Sequence, residues 1–189
     1  MPAQHPEPDA GLIARWQRGD RAAFEQLVRD WHPRVARFLV RLTGCPELAR
    51  DLSQEVFLRV YLSAGKYRES GHFSTWLFQV ALNQFRDAAR KSARRPAVAL
   101  TDSEVLVEVP ITAPFEDRER VAIIAEALAE LSLPLREVVV LHYYEDLNFE
   151  AMARVLGTPA STLKSRFAVA MNQLRDRLTA RGLAPEERT

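Results

Sequence analysis

Apolar side chains recur at helical spacing along most of this chain. Phe24, Leu27, Val28, Trp31, Val35, Phe38, Leu39 and Leu42 fall three and four positions apart, the rhythm of one buried helix face. Pro33 interrupts that run and has no amide hydrogen to give, so a kink or break is expected there. Thr43-Gly44-Cys45-Pro46 reads as a stop and restart. Leu48, Leu52, Val56 and Val60 give the next helix its inward stripe. Residues 65–72, Gly-Lys-Tyr-Arg-Glu-Ser-Gly-His, form a polar loop. A long helix follows, with Phe73, Trp76, Leu77, Val80, Ala81 and Phe85 inward, and it ends in Arg86, Arg90, Lys91, Arg94 and Arg95.

The rhythm then stops. Residues 97–114 lack helical periodicity, hold Pro110 and Pro114, and are rich in Val, Thr and acids. No partner strand is visible on either side, so this stretch is expected to be an extended linker. Helical spacing returns afterwards, and residues 133–178 read as a helix-turn-helix. Asn148 is placed to cap a helix whose apolar residues lie between Phe149 and Leu156, and Gly157 can take the left-handed backbone that ends it. Thr158 is expected to cap the next helix, with Pro159 at its first position. That helix carries Leu163, Phe167, Ala170, Leu174 and Leu178 on one face. Thr162, Lys164, Ser165 and Arg166 sit at its exposed start, where recognition helices meet base edges and phosphates. The expected fold is all-α: a helical bundle over residues 1–95, an acidic linker over 96–117, and a helix-turn-helix domain over 118–189.

Composition narrows the class. The chain has 189 residues, enough for one domain of ordinary size or two small ones. It contains no run of about eighteen apolar residues that would span a membrane. Residues 1–9 are Pro-rich and lack the basic and apolar regions of a signal peptide, so a cytoplasmic location is expected. Cys45 is the single cysteine, which excludes an intramolecular disulfide and a cysteine-rich zinc site. The formal net charge is only +1, but it is unevenly spread. Residues 1–95 hold 16 Lys/Arg against 10 Asp/Glu, and residues 96–117 hold five acids and no Lys/Arg. Residues 118–150 hold three basic residues against seven acids, and residues 151–189 hold seven against three. Two basic zones flanking an acidic stretch suggest two nucleic-acid surfaces joined by a segment that repels DNA.

Three groups in the first half carry chemistry. Asp51, Gln54, Glu55 and Leu58 stand at i, i+3, i+4 and i+7, one exposed helix face. By itself such a face reads first as a solvated surface, and otherwise as a dock for a basic partner. Arg86, Arg90 and Lys91 with Asn83 make a cationic helix end, which is a solvated end or a phosphate-neutralising strip. Tyr67, Arg68 and His72 lie in the polar loop, where an aromatic face and polar groups can cradle an unstacked base. The four histidines, His5, His32, His72 and His142, are scattered, and no glycine-rich phosphate loop or metal-ligand spacing occurs. The residues therefore argue against an enzyme and call for no cofactor or metal. His142, on an apolar helix, reads as a packed or capped histidine.

Together these stretches resemble a known family. Asp51-Leu52-Ser53-Gln54-Glu55-Val56-Phe57 resembles the D-x-x-Q-E-x-F signature of bacterial RNA polymerase sigma factors. So does the run from Phe73-Ser74-Thr75-Trp76 to Asn83, followed by Asp87 and Arg90. Leu133-Pro134-Leu135-Arg136-Glu137-Val138-Val139 and Thr162-Leu163-Lys164-Ser165-Arg166 are similar to the C-terminal signature. The order and length resemble the extracytoplasmic-function group, over residues 12–95 and 118–178.

The resemblance implies a protein that binds core RNA polymerase, recognises the −10 and −35 promoter elements, helps melt the DNA and initiates transcription of a stress or envelope-response regulon. It assigns Asp51, Gln54, Glu55 and Leu58 to the polymerase clamp of the largest subunit, and implies a further contact with the flap of the second. Asn83, Arg86, Arg90 and Lys91 fall on the −10 helix, and Tyr67, Arg68 and His72 on the loop that captures a non-template base. Ser161, Thr162, Lys164, Ser165 and Arg166 fall on the −35 recognition helix. The acidic linker resembles the segment that threads toward the polymerase active site. An anti-sigma factor is an expected partner.

Two departures stand out. Arg50 replaces an acid common before Asp51, and Ala168, Val169 and Met171 replace basic residues common after Arg166. A stand-alone dimeric helix-turn-helix regulator is the alternative. It would leave the Asp-Gln-Glu face and the tryptophan helix without a role.

Overall fold

The computed structural model describes residues 10–63, 67, 72–93 and 115–183. These residues form eight α-helices and no strand. Helix α1 spans Ala10–Gln17, α2 Arg21–Thr43, α3 Pro46–Leu62 and α4 Phe73–Ala93. Helix α5 spans Phe115–Ala129, α6 Leu133–Val139, α7 Phe149–Leu156 and α8 Ala160–Ala180. The last turn of α6 widens into a π-helical segment, Val140–Tyr144.

The first unit is built on α2. Asp20 caps it, its carboxylate accepting from the Ala23 amide at 3.2 Å. Gly44 closes it in the left-handed conformation, φ 69°, donating to the Val40 carbonyl at 2.8 Å. The break expected at Pro33 does not occur, and α2 is continuous across it. Pro33 lies on the exposed side, where the carbonyl that loses its partner can turn to water. Trp31 and Val35 bury the opposite side and hold the helix in register. Pro46 opens α3 at a position where its missing amide hydrogen has no helical partner to lose. Trp31 meets Phe73 and Phe78 edge-on at 5.6 and 6.3 Å, and Phe38 meets Phe78 at 4.9 Å. These rings join α2 to α4.

The second unit packs α5, α6 and α7 against α8. Asn148 accepts from the Ala151 amide at 2.8 Å, and Gly157 takes φ 64°, so α7 begins and ends as its sequence indicates. His142 bonds through Nδ1 to the Leu147 carbonyl at 2.9 Å and stacks on Phe149 at 4.7 Å. It is packed, as expected.

Two boundaries differ from the sequence reading. Thr158 does not cap α8: its hydroxyl turns back to the Leu156 carbonyl at 3.4 Å, and Pro159 occupies the cap with extended backbone. The fixed φ of proline holds that residue outside the helix, so α8 begins at Ala160. Helix α5 starts at Phe115, inside the stretch expected to be linker. The rest of that linker, residues 96–114, lies outside the described residues, as do residues 1–9 and 184–189.

The ring cluster predicts a large effect. Phe78→Ala should lower unfolding free energy by about 3–5 kcal/mol, read as a reduced urea midpoint at unchanged slope. Asn148→Ala should cost about 1 kcal/mol, the usual worth of such a cap. A loss below about 1 kcal/mol for Phe78→Ala would show that the ring cluster does not hold the bundle together.

Candidate functional site

Helix α3 presents two unlike faces. Leu52, Val56 and Val60 are buried against α2 and α4, whereas Asp51, Gln54 and Glu55 are exposed. Leu58 is 60 % exposed, one turn beyond Gln54 and Glu55 on the same side. Tyr61 and Leu62 extend that surface, at 49 % and 73 % exposure, with Tyr61 resting on the Phe24 ring at 5.0 Å. An apolar patch beside two carboxylates and an amide is a surface suited to a partner that is partly basic and partly apolar.

Helix α4 carries the cationic strip. Asn83, Arg90 and Lys91 are exposed. Arg90 pairs with Asp87 one turn earlier, and that hydrogen bond holds the Asp87 carboxyl below its ordinary range. Arg86, half-buried, points toward the second unit instead. Its Nε and Nη2 donate to the two carboxylate oxygens of Glu137 at 2.9 and 2.8 Å.

The loop before α4 is described only at Tyr67 and His72, so Arg68 lies outside the described residues. His72 is exposed. Tyr67 is not: it is 6 % exposed, with its ring 5.0 Å from Trp76 and 5.7 Å from Phe73. A tyrosine presented to an unstacked base was expected here. The neighbouring aromatic surface takes the ring into the core instead, and the Tyr67 carbonyl accepts from Gln17 at 2.8 Å.

In the second unit, α7 and α8 meet across Gly157. Leu163, Ala170 and Leu174 are buried, while Ser161, Thr162, Lys164 and Ser165 are exposed and Arg166 is half-buried. Ser165 donates back to the Ser161 carbonyl at 3.2 Å. The Lys164 ammonium lies 5.8 Å from the Phe149 ring centre, held near the junction of the two helices. Ala168 and Val169 are exposed, so the missing basic residues leave an apolar edge beside the polar start.

Comparison with known proteins bears on these faces. Residues 27–95 match the family described as Sigma-70 region 2, and residues 122–174 match Sigma-70, region 4. RNA polymerase sigma-H factor of Pseudomonas aeruginosa is 31 % identical, covering 85 % of this chain and 88 % of its own length. The ECF RNA polymerase sigma factor SigE of Mycolicibacterium smegmatis is 32 % identical over 94 % of this chain and 70 % of its own. This chain belongs to the extracytoplasmic-function sigma factors. It is a promoter-recognising subunit of RNA polymerase, and nothing favours the stand-alone regulator. The solved structure of CnrH in complex with the cytosolic domain of CnrY has a TM-score of 0.68 at 27 % identity, covering 92 % of this chain and 98 % of that one. None of the described helices of this sigma factor is long and apolar enough to cross a membrane.

The sequence reading missed a second set of residues, at the seam between regions 2 and 4. Glu137 and Glu145 are 3 % and 2 % exposed. Glu145 receives Arg34 of α2, whose Nε lies 2.7 Å from Oε2 and whose Nη2 donates to the Glu145 carbonyl at 2.9 Å. Arg41 approaches the other oxygen at 4.0 Å and stacks on Tyr144 at 4.1 Å. Arg136 reaches the other way and donates to the Leu42 carbonyl at 2.7 Å. A signal for this seam was present in sequence: two acids bracket the most apolar stretch of region 4, and Arg34 and Arg41 lie seven residues apart on α2.

Burial pushes the Glu145 carboxyl up to about 7 from an ordinary 4.5, against the pull of Arg34, Arg41 and Arg37. A raised carboxyl takes up a proton on folding. Its contribution is full below pH 4.5 and is lost as pH climbs through about 7. The stability of the wild type relative to Glu145→Gln should therefore fall by on the order of 2 kcal/mol between about pH 5 and pH 8. Chemical denaturation at several pH values measures this. A difference that stays flat or grows with pH would contradict the raised value.

Proposed function

We propose that this sigma factor docks on the clamp of the largest polymerase subunit through Asp51, Gln54, Glu55 and Leu58. The observation that carries the reading is the α3 surface: two carboxylates, an amide and an apolar patch exposed together on a helix whose other face is locked in the core. Such a surface gains specificity from charge and adhesion from apolar area.

In the same reading, Asn83, Arg86, Arg90 and Lys91 meet the −10 element, with His72 and Arg68 in the adjoining loop. The cations neutralise phosphates, and the loop offsets the cost of unstacking a base, a few kcal/mol, by contacts made only to the open strand. Tyr67 acts from beneath, supporting Trp76 and Phe73. Ser161, Thr162, Lys164, Ser165 and Arg166 read the −35 element from the start of α8, and the apolar edge at Ala168 and Val169 limits phosphate contact there. Region 4 also touches the flap of the second subunit. The residues lying between regions 2 and 4, acidic over 96–117, run through the basic interior of the polymerase. The chain works in the cytoplasm as a binding subunit with no chemistry of its own. An anti-sigma factor is a natural partner, since CnrH is solved in complex with the cytosolic domain of CnrY.

Two experiments test this. Changing Asp51 and Glu55 together to Lys should abolish co-elution with bacterial core RNA polymerase on a sizing column, at unchanged circular dichroism. Undiminished co-elution would remove the clamp assignment. Arg166→Ala should weaken holoenzyme binding to −35 duplex and reduce the slope of log affinity against log salt by about 1. An unchanged slope would take Arg166 off the phosphates.

A further inference from the structure

Helices α2 and α3 pack against each other on either side of the turn at Gly44, and a groove of about 360 Å³ lies between them. That is the low end of the volumes in which small organic ligands are held. Its floor is apolar, made by Ala36 and Val40 of α2 and by Pro46 and Ala49 of α3. An alanine on each helix leaves space that a larger side chain would fill. His32 and Ser53 meet across the end far from the turn, Nε2 to Oγ at 3.3 Å. The Ser53 hydroxyl donates in turn to the Arg50 carbonyl at 2.8 Å. The width of the groove is thus fixed by bonds within the first unit, which spares a ligand the cost of shaping it.

The rim is basic. Arg37 and Arg41 stand one turn apart on α2, and Arg50 lines the groove from α3. Like charges at that spacing cost a helix stability unless something answers them. Two neighbouring acids are engaged elsewhere. Glu145 receives Arg34 at 2.7 Å, with Arg41 farther off at 4.0 Å, and Glu47 accepts from the Cys45 thiol at 3.4 Å. Arg37 and Arg50 are exposed, and among the described residues no carboxylate lies within ion-pair distance of either. Burial holds the Arg41 guanidinium below its ordinary range, and Arg37 pushes it the same way. A bound anion would offset both effects. Arg50 stands where the sigma signature commonly has an acid, and no acid lines the groove.

Guanidinium groups present paired N–H donors in the geometry of phosphate oxygens, and several together match a dianion. The apolar floor calls for a flat body joined to that dianion, and the volume admits one such body. We propose that the groove binds a free mononucleotide, its phosphate monoester held by Arg37, Arg41 and Arg50 and its base lying on Ala36, Val40 and Ala49. None of the residues lining the groove belongs to the surfaces proposed for polymerase or promoter.

Isothermal titration calorimetry of the full chain in low-salt buffer tests this, since an exposed ionic site weakens as salt rises. Adenosine monophosphate should bind saturably, one per chain. Adenosine and inorganic phosphate, each a part of that ligand, should bind roughly 10-fold weaker or worse. Arg37→Ala and Arg50→Ala should each weaken adenosine monophosphate roughly 10-fold, the loss expected for one hydrogen bond to a charged group. Ala36→Leu fills the floor and keeps the cations, so it should reduce the affinity to that of inorganic phosphate. Arg18→Ala removes an exposed arginine outside the groove and should change nothing. Circular dichroism establishes that each variant is folded. Absence of saturable binding, or equal losses in Arg18→Ala and Arg50→Ala, overturns the site. Inorganic phosphate that binds as tightly as the nucleotide overturns the ligand. Tetraadenylate separates a free nucleotide from a strand and should bind no tighter than the monomer. Tighter binding that is lost in Arg37→Ala and Arg50→Ala would overturn the free mononucleotide in favour of single-stranded nucleic acid.

Discussion

A carboxyl group taken out of water needs a cation beside it or must keep its proton, and in this molecule two of them sit against arginines across the same seam. Glu137 meets Arg86 and Glu145 meets Arg34, each from a different helix of the first unit. Removing the arginine from such a pair costs several kcal/mol, because the glutamate is left without its partner in a nearly dry site. The pairs are therefore directional. They add little stability over a well-packed apolar seam, but they fix which faces of α2 and α4 meet region 4. That choice leaves the α3 surface and the start of α8 facing solvent. The surfaces proposed to bind polymerase and DNA are those that the seam does not use, with Arg86 as the exception.

Region 2 is rigid where α3 must be presented. The rings of Trp31, Phe38, Phe73 and Phe78 interlock α2 with α4, and α3 buries Leu52, Val56 and Val60 on the assembly. A docking face on a helix fixed in this way loses little entropy on binding. Region 4 is smaller. The start of α8 rests on His142, Phe149 and Phe167 packing together beneath Lys164, which ties the position of a lysine proposed to meet DNA to the fold of α7.

Most of the fold is legible in the sequence, because its helices are amphipathic and their ends carry local signals. The stripe through Leu27, Val35, Phe38 and Leu39 is buried as its spacing implies. Asn148 and Gly157 bound α7 through interactions within four residues. The misreadings arise where tertiary contact outweighs a local rule. Pro33 sits in an unbroken helix because burial on its opposite side holds the chain. Thr158 turns back to α7, and Tyr67 folds into an aromatic cluster that its polar neighbours conceal. The seam was the least legible part. Glu137 and Arg86 are 51 residues apart, and no periodicity within one helix announces a partner in another. The α3 face was legible as an exposed pattern, but its meaning came from resemblance, since a solvated helix has the same spacing.

This chain directs initiation by polymerase at particular promoters. The most direct measurement is run-off transcription by core RNA polymerase with and without the purified chain, on a library of random templates, with the transcribed templates sequenced. Transcripts are expected only when the chain is present, from templates that share two short conserved elements at one fixed spacing. Transcription that is unchanged by the chain, or templates that share a single inverted repeat, would contradict it.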